Sequence, residues 1–338
     1  MKKNTTIYDI AKALNITVST VSRALNGFPA ISENTRRLVA ETAKKLNYSP
    51  NRLASALKSG KTFIVGVIVP SIQSHFFASV IHSIEEGLKD SGYRIILYQS
   101  NELLENEIKG VKTLLEAQVD GIIASLSLGT EDDISHFQGI IAQHKPLVLF
   151  DRISTRLKVP TVTLNDFNAG FLAAQHLIDQ GYKKIAFITT AQPIKTFTDR
   201  LEGYREAMKV NQLPIDPDHI VFGGLSIKDG RYGAAKLLRA ETIPEAIITA
   251  DDYTALGVLK KLKEVNEIPP KIGLIGFSNE AFSAYISPAL STVDQHPNLM
   301  GRGCAELFLQ MIKKNHPYDD ICHLVLEPTI IKRQSSNV

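Results

Sequence analysis

Cysteine is nearly absent: the 338 residues hold only Cys304 and Cys322. Two thiols so placed form neither a metal-ligand pattern nor a disulfide framework. Both read as buried free thiols in a reducing, cytoplasmic setting. No apolar run approaches the roughly 18 residues of a membrane span, so no membrane partner is expected. Met1-Lys2-Lys3-Asn4 carries charge with no apolar stretch behind it, so no secretory signal is read. The nine histidines contain no His-x-x-x-His pair of the kind that holds zinc. There is no Gly-x-Gly-x-x-Gly after a strand, no Walker lysine loop and no nucleophile elbow. An enzyme reading has no motif to stand on, and neither metal nor cofactor is expected. His75 has the chemistry to titrate near neutral pH, yet no nucleophile stands near it in sequence.

What is present suits two or three soluble domains with large cores: 44% of residues are apolar and 22% charged. The net charge of +3 is unevenly placed. Residues 1–60 carry ten basic side chains against Asp9, Glu33 and Glu41, which is +7. The remainder holds 28 basic and 32 acidic side chains, which is −4. A basic head on a mildly acidic body favours a polyanion as the partner of the head alone.

The head reads as helix, tight turn, helix. Thr6 is an N-cap residue and Asp9 stands where a capping-box acid reaches back. Ile7, Ile10, Ala11 and Leu14 form one apolar face. Asn15-Ile16 interrupts, and Thr17 caps a second helix in which Val21, Ala24 and Leu25 share the packing face. Ser19, Ser22, Arg23 and Asn26 lie on the other side, with Val18 at its edge. Such a face is either simply solvated or small enough to enter a major groove, where Arg can bond a guanine edge twice. Ser32 caps a third helix, Glu33 to Leu46, with Leu38, Val39, Ala43 and Leu46 read as its inner face.

Three stretches carry a resemblance: Ile7-Tyr8-Asp9-Ile10-Ala11, Thr20-Val21-Ser22-Arg23-Ala24-Leu25-Asn26 and Leu46-Asn47-Tyr48-Ser49-Pro50-Asn51. They closely resemble the headpiece of the LacI/GalR family of bacterial transcription regulators, and the likeness runs from about Thr6 to about Arg333. It implies DNA contacts from Thr6, Tyr8, Thr17, Val18, Ser19, Thr20, Ser22, Arg23, Asn26, Ser32, Tyr48 and Asn51. It also implies that residues 49–61 form a hinge helix and linker. There Leu57 would wedge into the minor groove beside its copy from a second subunit, with Ala54 on the close-approach face and Lys58 alongside. The alternative is a frayed connector, since a segment this short is no stable helix alone.

From Phe63 the pattern becomes alternating apolar strands and helices, which argues for parallel sheets covered on both faces. The fold expected is a small all-α helix-turn-helix headpiece (1–48) followed by an α/β two-lobe core (62–338) of two doubly wound parallel sheets, similar to periplasmic binding proteins. The resemblance, and not the pattern, supplies three crossings between lobes. They fall near Val162-Thr163, Ser291-Thr292-Val293 and Ile321-Cys322. Lobe one is then about 62–162 plus 294–321, and lobe two about 163–293 plus 322–334.

Ligands of open parallel sheets bind beyond the carboxyl ends of strands. Ser74, His75, Phe76, Phe77, Ser125, Arg152, Asp166, Arg200, Asp252 and Gln295 all fall at such ends or at the lobe junction, and match family effector positions. Donors and acceptors around an aromatic floor suit a sugar, although purines and other small metabolites fit such clefts too. Each residue has a duller alternative: the aspartates as caps, the phenylalanines as core. His75, the order Asn165-Asp166, and Ser278-Asn279 depart from the family pattern.

The reading is a cytoplasmic DNA-binding regulator, a repressor, acting as a homodimer on a near-palindromic operator and answering to a sugar or sugar derivative. With no leucine-heptad tail after Arg333, a dimer is expected and not a tetramer. The rival is a solute receptor for transport, which shares the two-lobe body but has no use for a basic headpiece.

Overall fold

The computed structural model describes residues 5–25, 27–48, 60–192, 194–267, 271–314 and 316–337. They form two compact units, Met1–Thr62 and Phe63–Val338.

The first unit is three helices, α1 (Ile7–Leu14), α2 (Val18–Leu25) and α3 (Glu33–Lys45). Asn15 turns the chain between α1 and α2 in a left-handed conformation, φ 51°, which Asn tolerates better than most residues. The Asp9 carboxylate accepts from the Thr6 N–H and hydroxyl, both at 2.7 Å. Ile10, Ala11, Val21, Ala24, Val39 and Ala43 make the small core, with Leu25, Leu46 and Tyr48 against it. Leu38 does not join them: it is 43% exposed. It stands one residue before the buried Val39 and so faces about 100° away round α3.

The second unit holds two six-stranded sheets. In sheet one, β1 (Ile64–Val69), β2 (Arg94–Gln99), β3 (Gly121–Ala124), β4 (Leu147–Phe150), β5 (Thr161–Leu164) and β11 (His323–Leu326) lie in the order β11-β5-β4-β3-β1-β2. All its pairs are parallel. In sheet two, β6 (Ile185–Thr190), β7 (Ile220–Gly223), β8 (Ala246–Thr249), β9 (Gly273–Phe277), β10 (Ser291–Asp294) and β12 (Thr329–Ile331) lie in the order β12-β10-β9-β8-β6-β7. Only the β10–β12 pair there is antiparallel.

Eight α-helices flank these strands among the described residues: α4 (His75–Leu88), α5 (Leu104–Glu116), α6 (Ser135–Ala142), α7 (Asp166–Asp179), α8 (Lys195–Val210), α9 (Ile227–Leu237), α10 (Asp252–Glu264) and α11 (Pro297–Met311). Strand alternation divides the core between faces. Val65, Val67 and Val69 pack with α4 and α11, while Ile68 packs with Val111, Leu114 and Phe137 on the other side.

The crossings between sheets fall later than the sequence reading places them. Thr161–Leu164 belongs to sheet one throughout, so the first crossing is at Asn165. The second follows Asp294, the last residue of β10. The third moves from residues 321–322 to 327–328, because His323–Leu326 pairs in parallel with β5 of sheet one. Strand pairing across some 160 residues decides this, and no local pattern carries it. Cys304 is buried as expected, but Cys322 is exposed, just ahead of that edge strand. Among the described residues, no helix is long and apolar enough to cross a membrane.

Candidate functional site

On the headpiece, α2 begins where the Thr17 hydroxyl accepts from the Thr20 N–H at 3.1 Å. The Thr17 oxygen also meets Ser19 Oγ and Thr20 Oγ1, each at 2.8 Å, so Thr17 is occupied as a cap. Val21 and Ala24 face inward, which turns Ser19 and Arg23 out to solvent. Val18, Thr20 and Ser22 are half-buried beside them. Thr6 is exposed, and Tyr8 is 69% exposed although it is aromatic. Ser32 serves as the N-cap of α3, accepting from the Thr35 N–H at 3.2 Å. Tyr48 leans on the headpiece core. Asn26, Asn51, Ala54, Leu57 and Lys58 lie outside the described residues.

In the second unit a cleft of about 560 Å3 opens where the carboxyl ends of the two sheets face one another. Both sheets reverse strand order there, at β1/β3 and at β6/β8, the crevice in which open α/β sheets hold ligands. Sheet one sends Ser71, Gln73, Ser74, Phe76 and Phe77 from the β1 end, and Asp151 and Arg152 from the β4 end. Sheet two sends Thr196, Phe197 and Arg200 after β6, Ala250 to Tyr253 after β8, and Ser278 and Glu280 after β9. Gln295 comes from the second crossing.

Of the ten expected effector residues, Ser74, Phe76, Phe77, Arg152, Arg200, Asp252 and Gln295 line this cleft. Three do not. Ser125 is buried and its hydroxyl donates to Asp151 at 3.4 Å. Asp166 is turned to Arg200, Nε to Oδ1 at 2.8 Å. His75 lines a separate polar concavity with Asn279 and His296. Phe76 and Phe77 serve both readings: they touch the cleft yet are 4% and 6% exposed and pack with Val69 and Phe150 in the core.

The aspartates also divide. Asp251 is a cap, its carboxylate accepting the Thr254 N–H at 2.8 Å and hydroxyl at 2.7 Å. Asp252 has both oxygens engaged, by Thr292 Oγ1, Ser283 Oγ and the Glu280 N–H, each at 2.8 Å. Burial pushes its carboxyl up to about 7. Burial likewise pushes Asp166 up to about 7, with Arg200 pulling the other way. Asn165 caps α7 by accepting the Asn168 N–H at 3.1 Å. Asn165 and Asn168 together grip Glu327 of the third crossing, at 3.0 and 2.8 Å. The reversed Asn-Asp order thus gives the cap to Asn165 and frees Asp166 for Arg200. Helix α8 starts at Lys195, so Arg200 lies more than one turn inside it.

Sequence reasoning missed Phe197 and Glu280. Phe197 stands three residues before Arg200 on α8, so helical spacing puts both on one face. Its ring lies under Arg152 and Arg200, 5.6 and 5.4 Å to the centroid. Glu280 is a loop residue with no periodic signal. Its carboxylate accepts from Ser74 Oγ at 2.7 Å and from the His75 N–H at 3.0 Å, across the cleft. The Tyr253 hydroxyl makes a second bridge to the Gln73 carbonyl at 3.3 Å.

This architecture recurs in known proteins. The lac repressor dimer bound to operator and the anti-inducer ONPF superposes with a TM-score of 0.88 over 99% of this chain and all of that one, at 23% identity. A LacI family regulator from Enterococcus faecium with bound ribose matches with a TM-score of 0.71, at 26% identity, over 81% of this chain and 98% of its own. Catabolite control protein A of Priestia megaterium is 34% identical over 92% of this chain and 93% of its own. The family described as periplasmic binding protein-like domain matches residues 174–336, and that of the bacterial regulatory proteins, lacI family, matches residues 6–51. The helix-turn-helix head, the two-sheet cleft and a likeness that runs through nearly all of the sequence agree: this chain belongs to the lacI family of bacterial regulatory proteins.

Proposed function

We propose that the chain is a transcriptional repressor that reads a near-palindromic operator through α2 and answers to a neutral sugar or sugar derivative held in the cleft. The observation that carries the DNA half is the outward face of α2, where Ser19 and Arg23 are exposed on a helix too short to hide them. Arg23 reads a base edge, and Ser22 and Thr17 set the helix on phosphates. The effector half rests on neutral donors and acceptors, among them Ser71, Gln73 and Gln295, beside the Phe197 and Tyr253 rings. The ribose-bound Enterococcus faecium regulator supports the sugar class.

Two copies act together. The edge strands β2 and β7 expose Ile96, Leu97 and Phe222 at 36%, 41% and 53%. A second copy covers such unpaired edges. A chromosomal partner sets the protein to work in the cytoplasm, as a regulator and not a catalyst. Ligand then acts by coupling: it changes the lobe arrangement and with it operator affinity.

The test has two arms. Selection of duplexes from a random library by the full chain is expected to enrich one two-fold symmetric site. Thermal-shift titration with ribose, glucose and cellobiose is expected to raise Tm for at least one sugar. No enriched sequence would sink the operator reading, and no Tm shift with any sugar or other neutral polyol would sink the effector class.

A further inference from the structure

Three electropositive features of the cleft wall each already hold a carboxylate of this chain. Arg152 Nη1 is 2.6 Å from Glu102 Oε2. Arg200 Nε is 2.8 Å from Asp166 Oδ1. The third is the N-terminus of α4, a 14-residue helix whose N-cap is Ser74. A helix start with a hydroxyl and a free N–H is a ready anion site. Here the anion is Glu280, reaching over from the other sheet to Ser74 Oγ and the His75 N–H.

Glu280 is not a loose surface acid. It is 4% exposed. Its own N–H donates to Asp252, whose carboxylate is held in turn by the hydroxyls of Ser283 and Thr292. The remaining cation on the cleft lining, Lys228, is exposed at the rim, where water and salt screen it.

Resting on the reading of this cleft as the effector site, we infer that Glu280 is the specificity residue that closes it to anionic effectors and leaves it to neutral, hydroxyl-rich ones. A phosphate or carboxylate arriving at α4 must expel a buried carboxylate that has two donors, or lie beside it as a like charge. A hydroxyl meets neither obstacle, since it can donate to Glu280 and accept from the neutral amides and hydroxyls around it. Rejection thus comes from a repulsive element built into the pocket, which is how many specific sites discriminate. The same contact joins the two lobes, so the residue that screens the ligand also ties the walls of the cleft together.

The experiment uses the full chain as wild type, Glu280→Gln and Glu280→Ala. Glu280→Gln keeps size and an acceptor but removes the charge; Glu280→Ala uncovers the helix start and serves if the Gln chain misfolds. Each is titrated calorimetrically with ribose, glucose, ribose 5-phosphate, glucose 6-phosphate and inorganic phosphate. Wild type is expected to prefer a neutral sugar to its phosphate by about tenfold or more, and the variants to shrink that ratio by about tenfold. A wild type that binds the phosphorylated sugar more tightly, or variants with an unchanged ratio, would overturn the inference. If no neutral sugar binds wild type while the variants gain saturable phosphate binding, the sugar reading fails and the gate stands. If neither phosphate nor phosphosugar binds any variant, the gate falls whatever the neutral sugars do.

Discussion

Arg200 and Asp166 form a buried ion pair on the second-sheet wall of the cleft, with side chains only 3% and 6% exposed. Arg200 also donates to the Ala250 carbonyl at 2.8 Å and lies 4.4 Å above the Phe277 ring centroid. It lines the cleft and is also a brace, tying α8 to α7 and to the β8 end. Arg200→Ala leaves a buried carboxylate without its cation and is expected to cost about 3–5 kcal/mol. Replacing both partners by apolar residues of similar volume is expected to cost less than that single change. Urea titration of the two chains checks this, and a near-wild-type midpoint for Arg200→Ala would show that water already satisfies Asp166.

The same pair depends on how closely two helices approach. A Cβ built on Gly170 of α7 would stand 1.9 Å from the Arg200 carbonyl oxygen, and one on Gly203 of α8 1.9 Å from that of Phe167. Gly170→Ala must push α7 off α8 and draw Asp166, one turn earlier, away from Arg200. A loss of about 1–3 kcal/mol or more is expected, as for other overpacked cores. Gly139→Ala on α6 is the control, because its Cβ would meet nothing within 4 Å. That exposed helical site is expected to gain about 0.5–1 kcal/mol. Equal Tm values for the two variants would contradict the crossing geometry.

Asp252 gives a pH dependence with a definite sign. Its folded-state pKa of about 7 lies above the usual 3.8 because burial disfavours the carboxylate. Between those values the folded chain keeps a proton that the unfolded chain has released. The contribution is therefore fully present below about pH 4 and is lost as pH rises through about 7. Asp252→Asn should flatten that slope by at most one proton, about 1.4 kcal/mol per pH unit. Urea melts of both chains from pH 4.5 to 7.5 isolate this residue from Asp151, Asp166 and Asp251, whose carboxyls burial also raises. Parallel slopes would mean that the Ser283, Thr292 and Glu280 donors keep Asp252 ionised throughout.

Much of this was legible before any coordinates. Ile7, Ile10 and Ala11, then Val21, Ala24 and Leu25, then Val39 and Ala43 each keep helical spacing within one helix, so the headpiece core is legible directly, while Leu38 is exposed one position away. The apolar strands likewise announced two covered sheets. What stayed hidden is long-range. Leu324 and Leu326 look the same whether they join sheet one or sheet two, and only pairing with Val162 and Leu164 decides. Asp252 is legible as a cleft residue, but not its engagement by Ser283 and Thr292, which stand 31 and 40 residues on. Glu280 carries no local signal at all, because its partners lie more than 200 residues away.

Arg23 offers the sharpest test of the headpiece. It is exposed on α2, one position before the buried Ala24, and no ion pair is seen for it among the described residues. If its guanidinium bonds a guanine edge, Arg23→Ala should cost about 1–3 kcal/mol on the selected operator and relax preference at one symmetric pair of positions. Affinity for random duplex should fall far less, with the salt slope nearly unchanged, because a base contact releases no counterions. Ser22→Ala is the contrasting case: if its hydroxyl contacts a phosphate, its loss weakens all sequences alike. Fluorescence anisotropy on operator and random duplexes at two salt concentrations separates the two outcomes. Equal losses on both duplexes for Arg23→Ala would reduce Arg23 to a phosphate contact and leave base reading to other residues of the α2 face.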